Sequence, residues 1–360
     1  MKIENNYNLS KLNTFGISVN AKFFVEIQSE EDLQELFKME EFFAKDRSAS
    51  GGKNNQKLFL GGGSNVLFIR DFNGLVILNK LKGITILNED SETVTVRCMG
   101  GEIWHDLVNF TVERGLWGIE NLSLIPGTVG AAPMQNIGAY GAELQNVLLN
   151  VEAFDISTQE NKKKRIFFKE ECHFGYRDSI FKNELKNKYF ITAISLKLSK
   201  TPKPNISYKI LTEYLDKNKI EVKNSKDVSD AVAFIRRTKL PDPTIIPNAG
   251  SFFKNVFLKG EVGEVKMKEL LKIYPEMPYF KEENGSKTSV LIKIPAAWLI
   301  EQCGWKGKRV GNVGVHDKQA LVLVNYGGAT GEEILVLANT IIKEVREKFN
   351  LELSPEVNMI

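Results

Sequence analysis

Histidine and cysteine are scarce in this chain, with three of each among 360 residues. The cysteines (Cys98, Cys172 and Cys303) are odd in number and far apart, which excludes a paired metal-ligand motif and fits reduced thiols. The histidines are equally dispersed, so no zinc or iron centre is expected and the chemistry must come from another source. No stretch approaches the roughly 20 uninterrupted apolar residues of a membrane span. The polar opening, Met1 to Asn8, has no apolar signal core. A cytoplasmic protein with no membrane partner is therefore expected. An excess of one charge is missing too: 48 Lys+Arg against 45 Asp+Glu leave a formal +3. Because the basic residues are scattered, no nucleic-acid surface is expected. The one basic cluster, Lys162 to Arg165, lies in a polar turn and reads as a solvated hairpin tip.

What the chain has in quantity is core material. It is 42% hydrophobic and 26% charged, and its length suggests two or three domains. Short strand-like runs alternate with helical stretches. Phe23 to Ile27, Leu58 to Leu60, Leu75 to Leu78 and Thr93 to Cys98 read as strands. Glu30 to Phe43, with an acidic first turn, and Ile103 to Arg114 read as helices. Asp46 to Lys57 is polar and reads as a loop. Val147 to Ile156 and Ile166 to Phe168 suggest a hairpin, and Tyr189 to Leu198 alternates as a strand does. Asn205 to Leu215 reads as a connector or small helix, and Val228 to Thr238 as a helix ended by prolines. A smaller α+β module with a long helix, Gly331 to Phe349, follows.

Several segments carry chemistry. Gly61, Gly62 and Gly63, followed by Ser64 and Asn65, come directly after a short apolar strand. Consecutive glycines let backbone N–H groups converge on a phosphate, although a plain tight turn remains open. The spacing is not the dinucleotide fingerprint of a Rossmann unit. The run from Pro126 to Gly141 is richer, interleaving small residues with prolines and amides. Such a surface suits a large planar ligand laid against backbone. In FGYRDSIFK, residues 174 to 182, Arg177 has a planar fork suited to a carboxylate, or it forms a surface ion pair. Ser251 follows Gly250 in an Asn-Ala-Gly-Ser turn, where glycine can expose the hydroxyl at the start of a strand. No nucleophile elbow or triad surrounds it, so it reads as a proton donor or a turn cap rather than a hydrolase nucleophile. Glu301 and Gln302 can face a cleft from a helix whose other side is apolar. Glu356 follows Pro355.

In this order, and with NTFGI at residues 13 to 17, these segments resemble the UDP-N-acetylenolpyruvoylglucosamine reductase family over nearly the whole chain. The resemblance implies a two-lobed FAD-binding α/β body of the vanillyl-alcohol-oxidase type, followed by a smaller α+β substrate domain. The lobes would span residues 1–80 and 81–238 and the substrate domain 239–349, with 350–360 returning toward the site. It implies non-covalent FAD and NADPH as co-substrate. The FAD contacts would be Gly61, Gly62, Gly63, Ser64 and Asn65 for the pyrophosphate. Pro126, Gly127, Thr128, Gly130, Ala131, Gln135, Asn136, Gly138 and Ala139 would complete the set, with this second segment against the isoalloxazine.

The catalytic residues so implied are Arg177, Ser251 and Glu356. Arg177 and a protonated Glu356 would stabilise charge developing toward the enolpyruvyl carboxylate, and Ser251 would protonate the adjacent carbon. Substrate contacts would be Tyr176, Tyr208, Lys239, Asn255 and Gln302, with Tyr208 as a lid in the longer of the family's two forms. The expected partner is UDP-N-acetylglucosamine enolpyruvate, bound by a monomer, in cell-wall precursor synthesis. An FAD-dependent hydroxy-acid oxidase of the same fold and a non-catalytic flavin- or nucleotide-sugar-binding protein are the alternatives.

Overall fold

A computed structural model describes residues 1–39, 56–156, 164–283 and 290–360. Two compact units emerge. One comprises Met1–Leu9, Val19–Gly63 and Asp71–Thr238, the other Ser10–Ser18, Ser64–Arg70 and Lys239–Ile360. The short stretches 10–18 and 64–70, expected within the first lobe, thus cluster with the C-terminal unit. So do the last residues of the chain.

The first unit's two larger sheets among the described residues have strands that fall on either side of residue 80. The four-stranded sheet runs, edge to edge, Glu4–Asn8, Asn20–Ile27, Phe72–Asn79 and Gln56–Leu60. Its last three strands are parallel. The helix Glu30–Lys38 packs on it through Leu33, Leu36 and Phe37, and starts at a capping box. Ser29 Oγ accepts from the Asp32 amide while the Asp32 carboxylate accepts from the Ser29 amide. The helix stops at Lys38 because Met39 is extended, five residues short of the expected Phe43. Residues 40–43, like most of the expected loop, lie outside the described residues, and Gln56 and Lys57 already belong to a strand.

The second sheet of this unit is antiparallel: Lys164–Phe168, Leu148–Asp155, Tyr189–Ser199, Thr93–Met99 and Ile84–Glu89. Thr93–Met99 alternates buried and part-buried residues, as a one-faced strand should. Tyr189–Ser199 does not. It is central in its sheet and buried on both faces from Phe190 to Leu196, so its polar Thr192 and Ser195 are interior. Thr192 resolves this by donating to the carbonyl of Glu152. Of the basic cluster, Lys162 and Lys163 lie outside the described residues, while Lys164 and Arg165 open the second strand of the hairpin as exposed residues in ion pairs. Lys164 Nζ lies 2.9 Å from Glu30 and 2.8 Å from Glu152, and Arg165 lies 3.0 Å from Glu171. The helix Lys209–Lys217 stands where a connector or small helix was expected, and Ser225–Lys239 is the proline-terminated helix.

The second unit is α+β. An antiparallel sheet runs Asn248–Ser251, Val322–Asn325, Val313–Val315 and Arg309–Val310. A three-stranded sheet, Val256–Lys259, Val290–Ile294 and Phe280–Glu283, carries the helix Gly260–Ile273. The long helix Gly331–Phe349 begins at a Thr330/Glu333 capping box and ends on Asn350 in the left-handed conformation. Among the described residues, no helix is long and apolar enough to cross a membrane, and no cluster of His, Cys, Asp and Glu could hold a metal ion.

Candidate active site

In the first unit the two glycine-rich segments lie against each other. A Cβ on Gly61 would fall 2.3 Å from Thr128 Oγ1, and one on Gly62 would fall 2.8 Å from Gly127 Cα. Both distances are below van der Waals contact, so glycine is required for the backbones to approach. Gly63 and Gly127 add positive φ angles of +62° and +113°. The second segment is fixed from below by backbone bonds: Trp104 donates to Gly127, Val129 to Glu102 and Gly130 to Gly100. A seven-residue 3-10 helix, Val129–Gln135, follows. Thr128 Oγ1 is buried with no hydrogen-bond partner among the described residues. A buried hydroxyl without a partner is costly. Backbone-only surfaces at Gly61–Gly63 and an unsatisfied hydroxyl beside them are what a phosphate-bearing, planar ligand such as FAD requires.

Asn136 is the keystone of the neighbouring turn. It is fully buried with φ +44°, and its side chain is committed within the protein. Its Nδ2 donates to Glu143 and to the Gly175 carbonyl, and its Oδ1 accepts from the Gln145 amide. The link to Gly175 holds the turn that presents Tyr176 and Arg177. Gly175 and Asp178 close that turn through reciprocal backbone bonds, and Ser179 anchors it to the Met134 carbonyl. Arg177 sits at φ +53°, an uncommon conformation for a side-chain-bearing residue. Its Nη2 donates to the Gly138 carbonyl at 2.6 Å, and its guanidinium lies 5.5 Å from the Tyr176 ring centroid. Tyr208 precedes the helix Lys209–Lys217 and packs edge-on against Tyr140, with ring centroids 5.4 Å apart.

In the second unit the residues from Ser251 onward pair with the end of the chain. Glu356 N donates to the Phe252 carbonyl at 2.7 Å, Phe253 forms an antiparallel bridge with Pro355, and Lys254 N donates to the Ser354 carbonyl at 2.9 Å. Glu356 is thereby held one residue along the chain pairing from Ser251, opposite Phe252. Gly250 takes φ +68° with nothing crowding its Cα, so its requirement is conformational. Ser251 closes the strand Asn248–Ser251 rather than opening one, because the next amide leaves the ladder to donate to the Leu321 carbonyl.

Asn65 joins the same corner. Its Nδ2 donates to the Glu356 carbonyl at 3.4 Å, and its own carbonyl accepts from Asn358. Asn255 Oδ1 accepts from Ala296 N at the start of the helix Ala296–Gln302, and Lys239 ends the helix Ser225–Lys239. Gln302 is exposed at the last turn of its helix, where Cys303, Glu344, Glu347 and Lys348 surround it. Sequence reasoning passed over Tyr140, against which Tyr208 packs. Tyr140 had one available signal, its place between Gly138 and Gly141.

Two family models match the chain: "FAD binding domain" over residues 21–159, and "UDP-N-acetylenolpyruvoylglucosamine reductase, C-terminal domain" over residues 242–360. UDP-N-acetylenolpyruvoylglucosamine reductases of Flavobacterium johnsoniae and Amoebophilus asiaticus are each 46% identical to it, over the whole of both chains. The crystal structure of UDP-N-acetylenolpyruvylglucosamine reductase from Thermus caldophilus shares the fold. Its TM-score is 0.61 at 22% identity, covering 100% of this chain and 99% of that one.

Proposed function

This chain belongs to the UDP-N-acetylenolpyruvoylglucosamine reductase family, and on that premise we propose how its residues divide the work of the reaction. It is an FAD-dependent oxidoreductase of peptidoglycan precursor synthesis, reducing UDP-N-acetylglucosamine enolpyruvate with NADPH. Bound FAD supplies the hydride chemistry. The chain itself binds, orients, neutralises charge and delivers a proton.

Gly61 to Asn65 hold the FAD pyrophosphate through backbone N–H groups, and Thr128 offers its unpartnered hydroxyl. Pro126, Gly127, Gly130, Ala131, Gln135, Gly138 and Ala139 form the backbone surface for the ring system. Asn136, whose side chain is committed within the protein, positions that surface and the Arg177 turn. Arg177 neutralises charge that grows toward the enolpyruvyl carboxylate. A preorganised donor of this kind is worth roughly 3 kcal/mol of transition-state stabilisation. Glu356, in its protonated form, donates a hydrogen bond to the same carboxylate. Ser251 protonates the carbon next to it. Tyr176, Tyr208, Lys239, Asn255 and Gln302 bind the UDP-sugar, with Lys239 suited to its diphosphate and Tyr208 to covering it. The enzyme works as a cytoplasmic monomer, with residues 1–80 and 81–238 as FAD-binding lobes and 239–349 as the substrate domain.

The observation that supports these roles most directly is the backbone pairing of Phe252–Lys254, the residues that follow Ser251, with Ser354–Glu356. Rapid-mixing absorbance of the purified flavoprotein tests it. Ser251→Ala leaves flavin bleaching by NADPH near normal and slows its recovery with the enolpyruvyl UDP-sugar by orders of magnitude. Equal slowing of both half-reactions would rule out the proton-donor role.

A further inference from the structure

Tyr140 and Gly141 are the two loop residues of a small hairpin that pairs Gly138–Ala139 with Ala142–Glu143. Both take positive φ, +48° and +83°, as a tight two-residue hairpin turn requires. The hairpin already holds one ligand-directed side chain, because the Gly138 carbonyl accepts from Arg177. Its turn holds a second by another route. Asn121, buried in the 3-10 helix Glu120–Leu122, donates from Nδ2 to the Tyr140 carbonyl at 2.8 Å and to the Asn205 carbonyl at 2.7 Å. An amide carries two N–H donors, and here both join main chains that are distant in sequence. Asn205 returns the contact. Its Nδ2 donates to the Gly141 carbonyl at 2.9 Å, and its Oδ1 accepts from Ser207 Oγ at 3.2 Å. Asn121 itself projects from a fixed base: the Glu120 carboxylate accepts from Gly118 N, and Ser123 Oγ donates to the Glu120 carbonyl and meets the Ser229 hydroxyl.

Downstream of Tyr208 the chain is held by regular structure. Leu211 N donates to the Tyr208 carbonyl, and Leu211 and Leu215 pack in a core with Trp117, Val228 and Val232. Upstream, residues 202–207 form no helix or strand. The links from Asn121 and Asn205 supply the anchor on that side. Tyr208 accordingly stands edge-on to Tyr140 while remaining exposed. Deepening the proposed function, and resting on its assignment of Tyr208 to cover the UDP-sugar, we propose that Asn121 and Asn205 are positioning residues that latch Tyr208 to the hairpin holding Arg177. They act without touching a ligand. Because the root of the covering ring is fixed beforehand, substrate binding does not bear the entropy of ordering that segment.

A double-substitution cycle on the FAD-bound enzyme tests the assignment. Binding is read from the oxidised flavin spectrum as the enolpyruvyl UDP-sugar is added without NADPH. Asn205→Ala weakens binding about fivefold, the effect of one lost hydrogen bond. Asn205→Asp, similar in size but with no donor for the Gly141 carbonyl, weakens it at least as much. Rapid mixing of both variants with NADPH shows flavin bleaching near the wild-type rate. Tyr208→Ala also weakens binding, and adding Asn205→Ala to it has no further effect, because no ring remains to be positioned. Asn121→Ala releases both carbonyls and weakens binding more than Asn205→Ala; if that buried substitution prevents folding, the Asn205 cycle decides alone. Additive losses in the double variant, the mark of a merely structural contact, overturn the proposal. So does unchanged affinity in both Asn205 variants. A Tyr208→Ala enzyme that binds the UDP-sugar as tightly as wild type instead defeats the covering role of Tyr208, and the latch with it.

Discussion

The contact between the two glycine segments gives a prediction whose size follows from their geometry. Alanine at residue 62 places its Cβ 2.8 Å from Gly127 Cα, whereas carbon atoms settle about 3.5–4.0 Å apart. Neither partner has a rotatable side chain, so the backbones must part by about 1 Å. Backbone amides aimed at a phosphate then lose hydrogen-bond geometry. Two charge-assisted bonds weakened in this way cost about 3 kcal/mol, or roughly 100-fold in FAD affinity. Alanine at residue 61 meets a different obstacle, the Thr128 hydroxyl at 2.3 Å, while Thr128 Cβ is an ordinary 3.6 Å away. The Gly61→Ala clash therefore disappears when Thr128→Ala is added, and no such rescue exists for Gly62→Ala. FAD titration monitored by quenching of flavin fluorescence, on ligand-free protein of each variant, measures both effects. In the Thr128→Ala background, Gly61→Ala costs tenfold or less. A Gly62→Ala protein that holds FAD as tightly as wild type would refute the reasoning.

Two further outcomes rest on other parts of the first unit. The Glu152 carboxyl is held down to about 2 from an ordinary 4.5, chiefly by hydrogen bonds from Arg97 and then Lys164, against the opposing effect of burial. A depressed folded-state pKa gives stability that is present above the unfolded value and lost as pH falls from about 4.5 toward 2. After allowance for solvent screening it is worth about 2 kcal/mol. Glu152→Gln lowers neutral-pH stability by that order and flattens the acid limb in a urea-melt series against pH; an unchanged acid limb contradicts the assignment. Cys98 and Cys172 are buried, and burial pushes Cys172 up to about 12 and Cys98 higher still. A disulfide reagent added to the native protein titrates only the half-buried Cys303 rapidly, and all three thiols in denaturant.

How far the sequence revealed this site depends on the physical signal each residue leaves. Gly61, Gly62 and Gly127 were legible because close backbone approach excludes every other residue, which turns a contact into a composition. Ser251 and Glu356 were legible only through the order of their motifs, because neither residue type is diagnostic alone. The pairing of Phe252 with Glu356 joins residues about a hundred positions apart, and no local pattern encodes that. Asn136 was visible as a polar residue in a small-residue run and therefore read as a ligand contact. Its left-handed backbone and inward hydrogen bonds are tertiary facts. Tyr189 to Leu198 was legible as a strand, but its burial on both faces was not, since that depends on neighbouring strands that the segment does not contain.

The end of the chain shows what that long-range pairing is worth. Asn358–Met359 adds a short parallel strand to Val66–Leu67, with Asn358 N donating to Asn65, Ile360 N to Leu67 and Ile69 N to Ile360. Deleting residues 358–360 removes these three backbone bonds. At about 1 kcal/mol each the loss is about 3 kcal/mol, or roughly 4 °C in melting temperature for a chain of this size. Glu356 keeps its bond to the Phe252 carbonyl but loses the strand that anchors the residues after it, while Ser251 and the glycine segments of the first unit are unaltered. The truncated protein therefore takes up FAD and is bleached by NADPH at nearly the wild-type rate. Recovery with the enolpyruvyl UDP-sugar slows by at least tenfold, because a loosened Glu356 no longer meets the carboxylate in a fixed geometry. Calorimetry and the same rapid-mixing experiment separate the two effects. A truncated protein that melts with the full-length chain, or whose two half-reactions slow equally, refutes an anchoring role for the terminal strand.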